Sequence, residues 1–118
     1  MAKVINELSL TKELIKIPSI TPLDGGAIAL VAKHLKSLGF RCTILNFQDK
    51  NTSSIKNLYA RLGTSSPNFC FAGHTDVVPA GNLKYWNVGP FSGAIKSGKI
   101  YGRGASDMKG GIACFIAA

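Results

Sequence analysis

The sequence predicts an α/β domain, and three observations carry that reading. Segments with helical spacing of apolar residues alternate with runs of β-formers and with Gly- or Pro-containing turns. Hydrophobic residues make up 46% of the chain and charged residues 17%, a balance that favours a packed core over disorder. The length, 118 residues, suits one domain and is too short for two.

Taken in order, residues 4–16 place Val4, Ile5, Leu8, Leu14 and Ile15 at helical spacing and stop before Pro18, which predicts a first helix. Residues 19–26 contain Pro22 and Gly25-Gly26 and read as a loop. From Ala27, the positions Ile28, Val31, Leu35 and Leu38 predict a second helix, with Gly39 as its left-handed cap. His34, between Lys33 and Lys36, is expected to be exposed on that helix. Residues 41–47 read as a strand with Cys42 and Ile44 on one face, and residues 58–62 as a second strand after a polar connection over 48–56. The all-apolar run 69–73 suggests a strand covered on both faces. Residues 94–101 predict a hairpin turning at Ser97-Gly98, and residues 108–118 a helix with no stop signal.

Composition narrows the function classes. No apolar run approaches the ~20 residues of a membrane span, and polar residues follow Met1 too closely for a signal-peptide core, so a cytoplasmic location is expected. Cys42, Cys70 and Cys114 are odd in number and widely spaced, which favours buried free thiols over a disulfide or a thiolate metal site. The formal net charge is +8, from 14 Lys and Arg against 6 Asp and Glu, yet the lysines are dispersed and form no basic run. Nucleic acid is therefore not the expected partner. Carboxylate chemistry must come from Glu7, Glu13, Asp24, Asp49, Asp76 and Asp107 alone.

Two constellations bear on chemistry. In Gly73-His74-Thr75-Asp76-Val77-Val78-Pro79, an extended backbone places His74 and Asp76 on the same side. A metal-bound imidazole commonly gives its second N–H to a carboxylate or carbonyl, so the pair suits a ligand and its orienting partner, and equally a structural histidine. In Gly102-Arg103-Gly104-Ala105-Ser106-Asp107-Met108-Lys109-Gly110-Gly111, the third glycine of a dinucleotide fingerprint is replaced by Asp107, which excludes that reading. What is left is an acid at the mouth of a helix, open to service as an N-cap or as a metal ligand. Together His74, Asp76 and Asp107 form a donor set suited to zinc, cobalt or manganese.

The ordered set of Ile17-Pro18-Ser19-Ile20-Thr21-Pro22, His74-Thr75-Asp76-Val77-Val78-Pro79, Trp86 with Pro90-Phe91, and Gly102 through Gly110 resembles the two-metal amidohydrolases. That family includes succinyl-diaminopimelate desuccinylases, acetylornithine deacetylases, aminoacylases and related carboxypeptidases. The resemblance implies a zinc-peptidase-like catalytic domain with a mixed β-sheet flanked by helices, of which residues 1–118 would be the amino-terminal part, truncated before the dimerisation or lid domain. It implies two divalent metal ions, zinc first and cobalt second. His74 would bind one metal and Asp107 would bridge both. Asp76 is the candidate catalytic residue, standing behind His74 and orienting it. The bond from Asp107 to Met108 would be cis. Trp86, Pro90 and Phe91 would pack around the site.

Within the family, Gly73 through Gly81 is most similar to the desuccinylases, which release succinate from N-succinyl-LL-2,6-diaminopimelate on the route to diaminopimelate and lysine. A deacetylase-type activity and a non-catalytic metal-binding remnant stay as alternatives. The implied partner is a small N-acyl amino acid, with neither nucleic acid nor membrane involved, and full-length relatives would be homodimers. The family's general base is the first of two adjacent glutamates further along the chain. No acid follows Asp107 here, so the 118 residues alone are expected to be inactive.

Overall fold

The computed structural model describes residues 3–118. Helix α1 runs Glu7–Ile15, shorter at its start than the apolar pattern predicts. Asn6 explains the difference: its backbone is extended and its side chain accepts the Ser9 N–H at 2.8 Å, so the cap sets the first turn there and leaves Val4 exposed. Helix α2, Ala27–Ser37, is entered through Asp24, whose carboxylate accepts the N–H groups of Gly26 and Ile28. It ends as predicted. Gly39 takes φ +93°, the Phe40 N–H returns to the Leu35 carbonyl, and the Gly39 N–H returns to that of Lys36.

Strands β1, Arg41–Phe47, and β2, Ile55–Arg61, pair antiparallel with Arg41 opposite Arg61 and Phe47 opposite Ile55. The second strand therefore starts inside the segment predicted to be a polar connection. Cys42, Ile44, Leu58 and Ala60 share one face, part of which packs on α2, while Leu45, Phe47 and Tyr59 on the other face are exposed. Strands β3, Ala94–Lys96, and β4, Lys99–Tyr101, form the expected hairpin. Its turn has positive φ at both Ser97 and Gly98, the backbone of a type I′ turn. Helix α3 spans Gly110–Ala117. Sheet pairing among the described residues consists of these two hairpins and one parallel bridge, Ile20 to Val77. No helix among them is long and apolar enough to cross a membrane.

The core forms where α1 and α3 meet beside α2. Leu10 and Leu14 pack with Val31, Leu35, Ile112, Ala113 and Ile116, all nearly excluded from solvent.

Three expectations are corrected. Residues 69–73 are extended but are not a strand, because no described segment pairs with them and only one side is covered, where the Phe71 ring stacks on Phe115 at 4.3 Å. The cysteines are free, but Cys70 and Cys114 are exposed rather than buried. Cys70 lies on that unpaired segment, and Cys114 lies off the face of α3 that carries Ile112, Ala113 and Ile116. His34 is half-buried, since its face of α2 turns toward α1 and brings Nε2 to 3.9 Å from the Glu13 carboxylate.

Candidate functional site

The extended segment through His74 is pinned at Val77. Its N–H donates to the Ser19 carbonyl at 2.8 Å and its carbonyl accepts the Thr21 N–H at 3.0 Å. The Ser19 hydroxyl, fully buried, donates to the Thr75 carbonyl at 2.6 Å. This places His74 at the rim of an open cleft of about 290 Å³, lined also by Thr21, Asp76, Arg103 and Asp107.

Asp107 arrives from the other side, in a five-residue turn, Ala105–Lys109, that leads directly into α3. The backbone departs from helical geometry at Asp107 and Met108, and the bond between them is cis. The turn is tight. Gly104 has φ +85°, and a Cβ there would stand 2.6 Å from a Val77 methyl. A Cβ on Gly110 would collide with the Ala105 carbonyl.

The three residues singled out from the sequence are brought together. His74 Nε2 lies 2.9 Å from Asp107 Oδ1, Nδ1 lies 2.9 Å from the Asp76 carbonyl oxygen, and Nδ1 is 3.3 Å from the Asp76 carboxylate. A carbonyl only accepts, so Nδ1 must be the donor. In the neutral ring the lone pair then sits on Nε2, facing the cleft and Asp107. The Asp76 carbonyl does most to raise the His74 pKa above its ordinary 6.5; partial burial opposes it, and the Asp107 carboxylate adds to the rise. Asp107 caps no helix: its side chain is 87% exposed and makes its contact with His74.

The donor chemistry fits part of a divalent-metal site, one imidazole nitrogen with a free lone pair beside one carboxylate. Among the described residues no group of three or more His, Cys, Asp or Glu side chains is arranged so that it could hold a metal ion. Trp86 backs Arg103, which lines the cleft. Its Nε1–H donates to the Ala80 carbonyl, and the Arg103 guanidinium lies over its ring at 5.5 Å.

Two residues that support the candidate site, Ser19 and Lys109, stand within the quoted motifs, but neither was assigned a role from the sequence. Lys109 has no exposed surface, and its Nζ donates to the carbonyls of Leu14 at 2.8 Å and Ile17 at 2.7 Å. Burial lowers its pKa from 10.5 to about 8. One signal was available: Lys109 stands at the N-terminus of α3, where the helix dipole disfavours a cation, so something else must hold it.

Residues 70–118 match the family described as Peptidase family M20/M25/M40. The chain is 56% identical over 113 residues to succinyl-diaminopimelate desuccinylase from Pelagibacter ubique, covering 96% of this chain and 29% of that protein. It is 58% identical over 111 residues to the desuccinylase from Rhodospirillum centenum, covering 94% of this chain and 29% of the relative. Among solved structures, human carnosine dipeptidase 1 superposes with a TM-score of 0.82 at 28% identity, over 93% of this chain and 26% of that one. The chain thus spans about three-tenths of the length of these curated relatives. Over nearly all of its residues it is similar to the amino-terminal part of succinyl-diaminopimelate desuccinylases, with the M20/M25/M40 peptidase match running from Cys70 to Ala118.

Proposed function

We propose that residues 1–118 supply one side of the active site of a metal-dependent amide hydrolase that releases succinate from N-succinyl-LL-2,6-diaminopimelate. The observation that carries this reading is the approach of His74 Nε2 to Asp107 at 2.9 Å across an open cleft, with Asp76 holding the opposite ring nitrogen. His74 and Asp107 would hold the divalent ions, zinc in preference to cobalt. When bound, such ions supply Lewis acidity and a water acidified to near-neutral pH.

The chain's own residues have separate tasks. Asp76, through its carbonyl and carboxylate, fixes the tautomer and plane of His74, so that Nε2 presents its lone pair. Asp107, with its side chain almost wholly exposed beside His74 Nε2, would be a ligand for the ions when they are bound. Arg103, over Trp86, stiffens the wall beside them. Asp76 and Asp107 are the carboxylates lining the cleft, and both are committed, which leaves neither to accept the proton of an attacking water. The 118-residue chain alone is therefore expected to bind metal weakly and to hydrolyse nothing.

A chimera tests the reading. Residues 1–118 joined to the remaining part of the Pelagibacter ubique relative should hydrolyse N-succinyl-diaminopimelate in preference to N-acetylornithine, and H74A or D107A should abolish the activity. Preference for N-acetylornithine would overturn the substrate assignment. Undiminished activity in both variants would overturn the site.

A further inference from the structure

We propose that Lys109 is a positioning residue that holds Asp107 opposite His74 by fastening the 105–109 turn to the same short segment that holds the stretch bearing His74. Its functional meaning rests on the metal-site reading above; its geometry does not.

The two halves of the site are 33 residues apart in sequence and share one anchor. Segment 14–21 receives the Asp107 side through Lys109 Nζ, bonded to the Leu14 and Ile17 carbonyls. It receives the His74 side through the Ser19 hydroxyl on the Thr75 carbonyl and through the backbone pairing of Val77 with Ser19 and Thr21. Lys109 and Ser19 are both fully buried, so these bonds form without competition from water.

The choice of lysine is informative. No carboxylate pairs with Nζ among the described residues. An apolar side chain of similar length would fill the space without desolvating a charge. What lysine adds is a donor long enough to reach two carbonyls at the C-terminal end of α1, where the helix dipole favours a cation. The bonds fix the depth of the turn, and with it the place of Asp107 two residues earlier. Met108, between them, lies under the other half: its Sδ accepts the His74 N–H at 3.4 Å, and its methyl abuts Gly73.

The test compares K109M and K109R with the wild-type 118-residue chain, using two readouts. One is the NMR contact between the Met108 methyl and the Gly73 α-protons in the metal-free chain; the other is Co²⁺ affinity by titration of the visible absorbance. Folded K109M is expected to lose the NMR contact and to bind Co²⁺ about tenfold or more weakly, as loss of a residue supporting a ligand does. K109R, which keeps donors toward the carbonyls, is expected to retain both. K109M with the contact and affinity of wild type would overturn the proposal. Should K109M fail to fold, K109R decides: retention of both supports it, and folded K109R without either overturns it. If the wild-type chain alone binds Co²⁺ too weakly to titrate, the NMR contact decides the positioning role: its loss in folded K109M supports it and its retention overturns it.

Discussion

His74 Nε2 and Asp107 Oδ1 stand 2.9 Å apart, the imidazole on an extended segment and the carboxylate on a turn, and the other ring nitrogen is already taken by Asp76. In the metal-free chain both contacts favour the imidazolium and raise its pKa above 6.5. A raised folded-state value means that the stability from these contacts is complete below 6.5 and is lost as pH rises through the folded pKa. D107N should move the His74 pKa partway back toward 6.5, followed by NMR of the ring protons. Zn²⁺ affinity should weaken as pH falls through the same value, because proton and metal compete for Nε2. An unchanged pKa in D107N would show that the pair does not interact in solution.

Leu14 has no exposed surface and sits in the core near α3, whereas Leu62 is 60% exposed just beyond β2. Leu14→Ala is expected to lower unfolding stability by about 2–5 kcal/mol. Leu62→Ala should stay within about 0.5 kcal/mol. Urea denaturation of the two variants measures both, and equal losses would mean that the α1–α3 contact is not the centre of the core.

Gly104 and Gly63 both have positive φ, but only Gly104 has a methyl of Val77 in the place of its missing Cβ. Gly63→Ala should therefore cost only the left-handed backbone, about 1–2 kcal/mol. Gly104→Ala should cost more and should also weaken Zn²⁺ binding, since the turn bearing Asp107 must shift away from Val77. Calorimetric titration of both variants separates the outcomes, and Zn²⁺ binding unaffected in Gly104→Ala would show that the turn's position is not critical.

Lys109 gives up its proton near pH 8 when folded and near 10.5 when unfolded. Between these values the unfolded chain binds more protons, so stability should rise with pH across that window. The comparison that isolates it is the urea midpoint at pH 7.5 and 10 for wild type and K109M. The rise should be larger in wild type, and equal slopes would mean that the ammonium is not desolvated in solution.

Much of the candidate site's geometry was legible in the sequence because its signals are local. His74 and Asp76 face the same way by the two-residue repeat of an extended chain, and glycines crowd the turn that presents Asp107. The Ser97-Gly98 turn and the Gly39 cap were legible for the same reason: each needs particular backbone angles at a particular residue. What escaped depends on partners distant in sequence. Residues 69–73 have the composition of a covered strand, but composition does not supply the neighbouring strand that would pair with them. Lys109 reads as one more surface lysine until α1, 95 residues away from it at Leu14, places carbonyls within its reach. Asn6 shows the converse, a single polar side chain overriding an apolar pattern that would otherwise have continued the helix backward to Val4.

The common anchor at residues 14–21 bears on how the intervening chain tolerates change. Between His74 and Asp107 the chain makes an excursion through the β3–β4 hairpin, and both ends of that excursion are tied down, at Val77 to Ser19 and at Lys109 to Leu14 and Ile17, while the Arg103 N–H on the Pro90 carbonyl closes the hairpin's own loop. Lengthening a loop whose ends are already held costs only about 0.6 kcal/mol per doubling. The exposed tip at Ser97-Gly98 is thus a place where residues can be inserted, for a tag or a fluorophore, while the imidazole and the carboxylate keep their separation.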